Sequence, residues 1–153
     1  MTKLNKNQVI GLGPNSKLLK QYKDSLGKLS QVQWEAAIGL MLGDASLQTQ
    51  NKGKTYRLKF EWGDKSKIYL DHVYSLFDEW VLSEPHKKVR ISPAGNEVIN
   101  WGFQTISHAA FNPLAQLFLD QKTKIISTDL IKNHLTTRGL AYLVFGWWWK
   151  VGL

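Results

Sequence analysis

The chain has 153 residues, of which 43% are hydrophobic; this fits one domain with a sizeable core and excludes an intrinsically disordered chain. Lysine and arginine outnumber aspartate and glutamate by 20 to 12, so the net charge of +8 favours a polyanionic partner, either nucleic acid or an acidic membrane surface. The absence of cysteine from the sequence excludes disulfides, thiolate catalysis and zinc ribbons, and no run reaches the ~18 apolar residues that a membrane span needs.

The N-terminal third predicts a short helix followed by a long apolar one. Residues 16–28 place apolar side chains on one side and lysines on the other, and Gly27 is expected to end this helix. Ser30 and Gln33 have the spacing of a capping box, in which each side chain binds a free backbone amide at a helix start. The apolar residues that follow recur at helical spacing, which predicts a helix over 31–43.

The end of this helix combines two glycines with an acid. Gly39 and Gly43 are four residues apart, so they share a helical face and would let a second helix approach closely. Asp44 follows directly, where the negative end of the helix dipole disfavours a carboxylate by a few tenths of a kcal/mol up to about 1. A divalent cation would compensate that charge; the alternative is a core helix whose Asp44 merely starts a turn.

Two hairpins follow in the sequence. Residues 55–62 alternate strictly between apolar and polar types, which predicts a strand. Residues 46–50 can pair with it through a turn at 51–54. The second hairpin is predicted from strands at 88–92 and 97–105.

Two further helices complete the predicted fold. Residues 66–82 have apolar side chains at helical spacing, and His72 falls on the buried side, where we expect a hydrogen-bonded core imidazole. Residues 107–119 give the last long helix. The order α-β-β-α-β-β-α predicts an α+β fold in which helices back a four-stranded antiparallel sheet.

The sheet face away from the helices is expected to carry polar and basic side chains. These are Gln48, Gln50, Arg57, Lys59, Glu61, Lys87, Lys88, Arg90 and Asn100. Arginine and lysine can donate to guanine, glutamine and asparagine can bridge adenine, and a β-ribbon fits the major groove of DNA. His86 lies beside them in a basic loop and could touch a phosphate. The alternative is a solvated polar face, which is common in antiparallel sheets.

Residues 36–47 resemble the signature helix of the LAGLIDADG homing endonucleases, with Asp44 at the position of the family's metal-binding aspartate. Other segments that resemble two-motif mitochondrial members of this family are 13–20, 53–56, 60–62, 85–88 and 136–142. The resemblance therefore covers about residues 7–142, which is far more specific than the signature alone.

This resemblance implies an intron-encoded enzyme that hydrolyses phosphodiester bonds of double-stranded DNA with Mg²⁺. Asp44 would be the catalytic metal ligand, and the carbonyl of Gly43 or Ala45 could assist. Lys122 or Lys124 lies where the family has a basic residue near the reaction centre, so one of the two would be catalytic. The resembling segments add two DNA contacts, Lys20 and Lys54. Residues 1–8 lack the pattern of an import signal, so the product is expected to be either cytosolic or made where it works. The resemblance to mitochondrial members implies the second, a mitochondrial, organelle-encoded product.

A second signature helix is expected to begin at Thr136 or Thr137, yet Trp147 stands where its aspartate would be. Because an indole cannot coordinate Mg²⁺, we divide the chain into an endonuclease half-domain at 1–135 and a truncated or frameshifted second signature helix at 136–153. If the codon of Trp147 is TGA, a shift of one nucleotide restores Asp-Asp-Gly-Gly, the expected end of that helix; a TGG codon would refute the hypothesis.

Several alternatives stay open at this point. A homodimer through helix 31–43 would bring two copies of Asp44 together, as in single-signature members of the family. The chain could instead be a non-catalytic nucleic-acid-binding protein, such as an intron RNA maturase. The C-terminal tryptophans could also be an authentic aromatic tail, or the product of a decayed reading frame that folds poorly.

Overall fold

The computed structural model describes residues 4–151, with side chains described for residues 4–146. The helices are α1 Lys17–Leu26, α2 Gln31–Leu42, α3 Lys67–Leu76, α4 Asn112–Phe118, α5 Thr128–His134 and α6 Thr137–Val151. The strands are β1 Ser46–Gln48, β2 Arg57–Gly63, β3 His86–Ile91, β4 Glu97–Gln104, β5 Leu119–Asp120 and β6 Thr123–Lys124. Short 3-10 helices cover Lys6–Gln8, Asp64–Ser66, Asp78–Trp80 and Ala109–Phe111.

The start of α2 has the capping box that the sequence predicts. The Ser30 hydroxyl accepts a hydrogen bond from the Gln33 amide at 3.1 Å, and the Gln33 side chain accepts from the Ser30 amide at 3.0 Å. The preceding helix α1 ends at Gly27, whose φ of 70° lies in the left-handed region that favours glycine. The end of α1 at Gly27 and the capping box at Ser30 thus determine where α2 begins, and its apolar residues lie in the core.

The main sheet has the strand order β1-β2-β4-β3, and all of its neighbouring strands are antiparallel. Phe60 and Phe103 lie opposite each other at its centre, with ring centroids 4.7 Å apart. They pack with the buried Ile38 and Met41 of α2 in one continuous hydrophobic core. The predicted α+β fold with a four-stranded antiparallel sheet backed by helices is therefore confirmed.

Helix α3 is shorter than the predicted helix over 66–82. It ends at Leu76, and a 3-10 turn then redirects the chain so that Phe77 and Trp80 still enter the core, with exposures of 0% and 1%. The prediction that His72 is a buried imidazole is wrong. This side of α3 lies at the surface beside α6, which does not fully cover it. His72 is therefore exposed, and Ile68 is 70% exposed.

Two elements between α4 and α6 have no counterpart in the prediction. The hairpin β5–β6 turns at Gln121, whose φ is 58°. Two-residue strands are too short for an alternating pattern, so the sequence carries no strand signal there. Helix α5 follows, and the Ser127 hydroxyl accepts from the Leu130 amide at 3.2 Å at its start.

Helix α6 begins at Thr137, as predicted, and packs along α2. A Cβ atom added at Gly39 would lie 1.9 Å from the backbone oxygen of Gly139, so glycine is required at this crossing. The backbone at Gly139 is equally close, because a Cβ there would lie 2.9 Å from the Glu35 oxygen. At Gly43 the space is ordinary, with the nearest side-chain atom 3.5 Å away.

Two predictions about the C-terminal segment remain predictions. The first is the division into two parts at residue 135, because the packing of α6 on α2 does not decide it. The second is the role of Trp147, because its side chain lies outside the described residues. Among the helices that the structure describes, each is too short or too polar to cross a membrane.

Candidate nucleic-acid interface and acidic helix end

The strand register determines which polar side chains share the outer face of the main sheet. Residues directly opposite each other on neighbouring strands project to the same side of a sheet. Gln48 lies opposite Arg57, and Lys88 lies opposite Asn100. The predicted residues on this outer face are Gln48, Arg57, Lys59, Glu61, His86, Lys88, Arg90 and Asn100. The register adds three side chains that the sequence did not indicate, Ser46 and Gln104 opposite Lys59 and Val98 opposite Arg90.

Lys87 is the exception among the predicted strand residues. It lies opposite Trp101, between Lys88 and His86 on the same strand, so it projects to the opposite side of the sheet. The assignment of Lys87 to the outer face is therefore corrected. The cause is that a strand alternates, so a run of consecutive basic residues cannot lie on one face.

The other predicted DNA contacts lie away from the strands. Gln50 is exposed just beyond β1 and lines the same surface cavity as Gln48 and Arg57. Lys54 is in the turn between β1 and β2, where its backbone oxygen accepts a hydrogen bond from the side-chain amide of Asn112 at 3.0 Å. Lys20 is exposed on α1, in the helical part of the molecule rather than in the sheet.

The outer face is positively charged but also carries groups that can accept hydrogen bonds. The Lys88 ammonium lies 3.3 Å from a carboxylate oxygen of Glu61, and both side chains are partly exposed. Such surface ion pairs contribute about 0–1 kcal/mol, so this one orients Lys88 more than it stabilises the fold. A protein that recognises a specific DNA sequence needs both cationic and polar groups, because cations alone would bind phosphates without distinguishing bases.

Asp44 lies directly after the end of α2 and is exposed, not buried in the apolar core. The Lys124 ammonium donates to the backbone oxygens of Gly43 and Ala45, each at 2.9 Å. Partial burial lowers the pKa of Lys124, and the nearby Asp44 carboxylate opposes that shift. Of the two lysines left open by the sequence, Lys124 is the one at the acidic helix end, whereas Lys122 lines the cavity beside Gln48 and Arg57.

The Lys124 ammonium supplies positive charge at the negative end of α2, where a divalent cation was expected to compensate the charge of Asp44. The same ammonium binds the two carbonyl groups, Gly43 and Ala45, that were proposed as additional metal ligands. The sequence left Lys122 and Lys124 as alternatives, and the β5–β6 hairpin places Lys124 at this helix end although it lies 81 and 79 residues from Gly43 and Ala45 in the sequence.

The residues described include no cluster of three or more histidine, aspartate or glutamate side chains that could hold a metal. Asp44 is therefore one carboxylate at one helix end. Such a ligand set fits Mg²⁺ better than zinc, because Mg²⁺ keeps several waters and takes one or two carboxylates together with substrate phosphates.

Helix α6 is tied to the first half of the chain by contacts that sequence reasoning missed. Arg138 forms an ion pair with Glu35 of α2. The Tyr69 hydroxyl donates to the backbone oxygen of Tyr142 at 2.6 Å, and a ring nitrogen of His72 lies 3.0 Å from the Tyr142 hydroxyl. Because α6 covers the Gly39 face of α2, a homodimer through helix 31–43 would first have to displace it.

Several known proteins are similar to this chain in sequence, and one solved structure is similar to it in fold. The pattern of the LAGLIDADG DNA endonuclease family matches residues 34–147. A probable intron-encoded endonuclease 1 of Wickerhamomyces canadensis is 44% identical over 139 residues, which are 91% of this chain and 59% of that protein. The DNA endonuclease I-ChuI of Chlamydomonas applanata is 29% identical over 122 residues, 74% of this chain and 56% of that protein.

A solved structure of the homing endonuclease I-WcaI bound to its DNA recognition sequence superposes with a TM-score of 0.85 at 42% identity. The match covers 93% of this chain and 62% of that one. The chain thus spans somewhat more than half the length of these relatives.

Proposed function

Because the chain belongs to the LAGLIDADG DNA endonuclease family, we propose that it binds a specific double-stranded DNA sequence through the outer face of its sheet. We propose further that it carries one half of a Mg²⁺-dependent site for phosphodiester hydrolysis, with Asp44 as its metal ligand. The observation that carries this proposal is the coincidence of a mixed basic and polar strand face with an exposed carboxylate at the adjoining helix end.

The outer face suits the major groove of B-DNA. A β-ribbon fits that groove, and the row provides donors from Arg57, Lys88 and Arg90 and both donor and acceptor groups from Asn100. The deep, narrow major groove of A-form RNA would not admit the same surface. DNA is therefore favoured over double-stranded RNA as the partner of this face.

The acidic helix end suits metal-assisted hydrolysis. A bound Mg²⁺ would lower the pKa of an attacking water and stabilise charge on the leaving oxygen. Asp44 would hold the cation in the exposed position next to the DNA face. Lys124, fixed by Gly43 and Ala45, would hold a positive charge near Asp44, where it can stabilise developing negative charge on a phosphate.

We propose that this site is incomplete in the chain as it stands. Trp147 occupies the sequence position at which a second signature helix would supply an aspartate, and α6 covers the α2 face through which a second copy would supply its own Asp44. The expected behaviour is specific binding by one chain with little or no cleavage.

Lys87 and Lys88 are neighbours in the sequence but lie on opposite faces of the sheet, so substituting each in turn tests which face binds DNA. Purified chain is mixed with a library of randomised DNA duplexes, and the bound fraction is amplified and sequenced over several rounds. We expect one enriched motif. Binding to that motif should weaken in Lys88→Met and be unchanged in Lys87→Met, because only Lys88 lies on the outer face.

Two results would count against the proposed surface. One is a library from which the protein enriches nothing above non-specific binding. The other is equal loss of affinity in Lys87→Met and Lys88→Met, which would mean that net charge rather than the outer face holds the DNA. A parallel selection with RNA duplexes distinguishes an RNA-binding role.

A further inference from the structure

Gln48 and Arg57 form a hydrogen-bonded pair at one end of the outer face. They lie opposite each other on β1 and β2, and both are half-buried. The Nε and Nη2 atoms of Arg57 lie 3.2 and 3.1 Å from the same atom, Oε1 of Gln48. A guanidinium has donors only, so it fixes the orientation of the Gln48 amide with its oxygen towards Arg57.

This pairing changes what each side chain can offer to a base. An amide oxygen has two lone pairs, and both are occupied by the two donors of Arg57. The groups left over are the two amide hydrogens of Gln48 and the outward hydrogens on Nη1 and Nη2 of Arg57. The pair therefore presents hydrogen-bond donors and no free acceptor.

Adenine and guanine differ in what they require from such a surface. In the major groove, adenine shows the N7 acceptor beside the N6 donor, so a glutamine reads it only if its own oxygen is free. Guanine shows two acceptors, N7 and O6, and is read by donors alone. Gln48 on its own would favour adenine, whereas the pair cannot accept from the adenine amino group.

We infer that Gln48 and Arg57 act as one unit that selects guanine and rejects adenine at a single position of the DNA target. This inference rests on the proposed DNA-binding function and specifies part of its recognition. The pair borders a surface cavity of about 950 Å³ that Lys122 also lines, so a positive charge is available for the neighbouring phosphate while the pair meets the base edge.

The inference is tested by releasing the Gln48 oxygen. Wild type and Arg57→Met are each given the randomised DNA library, and base preferences are compared position by position. In the wild-type motif, guanine should exceed adenine by roughly 5- to 150-fold at one position, the range expected of a bidentate contact. In Arg57→Met the preference at that position should move towards adenine, with the other positions unchanged.

Two further variants make the result interpretable. Gln48→Met leaves Arg57 unrestrained, so the guanine preference at the same position should persist but fall several-fold. Lys87→Met removes a positive charge from the opposite face and should leave every preference as in wild type. Should Arg57→Met lose all specificity through misfolding, visible as a lower melting temperature, the Gln48→Met result decides.

The outcomes separate this inference from the function on which it rests. If wild type enriches no motif, the proposed function itself fails. If wild type enriches a motif but Arg57→Met weakens binding to all sequences equally, Arg57 contacts a phosphate and the inference is overturned while the function stands. Unchanged preferences in Gln48→Met would likewise overturn it.

Discussion

Helices α2 and α6 pack against each other, yet they are embedded in the protein to different degrees. Helix α2 has seven buried residues, among them Ala36, Ile38 and Met41. The side chains described for α6 include three strongly exposed apolar ones, Leu140 at 46%, Val144 at 49% and Phe145 at 53%. The close approach of Gly39 and Gly139 therefore packs α6 against α2 without burying the whole of α6.

The ends of the two helices differ as well. After α2 the chain provides Asp44 and, from the β5–β6 hairpin, the Lys124 ammonium. At the position in α6 where the family resemblance predicts an aspartate, the sequence has Trp147. The comparison indicates that two glycines form the helix crossing, whereas the chemistry at the helix ends depends on other residues.

The largest expected effect comes from breaking the crossing itself. Gly39→Val should destabilise the protein by about 3 kcal/mol or more, because even a Cβ atom would lie 1.9 Å from the Gly139 oxygen and the backbones must separate. Gly63→Ala is the control: its φ of −63° suits alanine, and the nearest atom to a new Cβ is 3.9 Å away. Urea unfolding measures both, and equal stabilities of the two variants would contradict the close crossing.

The second prediction concerns the contact that holds α6 to α3. Tyr69→Phe should cost about 1 kcal/mol, because the buried hydroxyl donates to the Tyr142 backbone oxygen. Burial raises the pKa of Tyr69 above its usual value of 10.0, with a smaller contribution from Tyr142.

The raised pKa gives this contact a pH dependence of defined sign. The unfolded chain loses the Tyr69 proton at a lower pH than the folded one, so stability is complete below pH 10 and falls as the pH rises above it. Melting temperatures of wild type should therefore drop more steeply than those of Tyr69→Phe between about pH 10 and 11. Identical slopes would mean that the hydroxyl is not buried as described.

How far the sequence predicts these regions depends on the range of the interactions. The capping box at Ser30 and the alternation through β2 are local patterns, and the structure has both. The resemblance indicated Lys122 or Lys124, but the sequence could not decide between them, because a short hairpin brings Lys124 to a helix end some 80 residues earlier. His72 was misplaced because helical periodicity indicates an apolar side but not where α6 will lie.

A smaller effect is expected from Lys124. Lys124→Met should lower the free energy of unfolding by about 1 kcal/mol, because the carbonyl groups of Gly43 and Ala45 lose a charged donor but gain some access to water. Lys122→Met, two residues away, should leave stability unchanged. A loss in Lys122→Met as large as in Lys124→Met would show that general surface charge, not the helix end, is responsible.

The smallest effect is predicted for the ion pair between α2 and α6. Glu35→Gln should change stability by less than about 1 kcal/mol, because Arg138 is partly exposed and water screens the pair. A chemical denaturation curve suffices to measure it. A loss of several kcal/mol would mean that the ion pair, and not the glycine crossing, holds α6 in place.

Introducing a carboxylate at position 147 tests the central claim most directly. Wild type, Trp147→Asp and the double variant Asp44→Asn with Trp147→Asp are each incubated with Mg²⁺ and the selected DNA duplex. We predict that all three bind the duplex and that only Trp147→Asp cuts it, because a carboxylate is then available from both helices. Cleavage by wild type at the rate of Trp147→Asp, or undiminished cleavage by the double variant, would contradict the account.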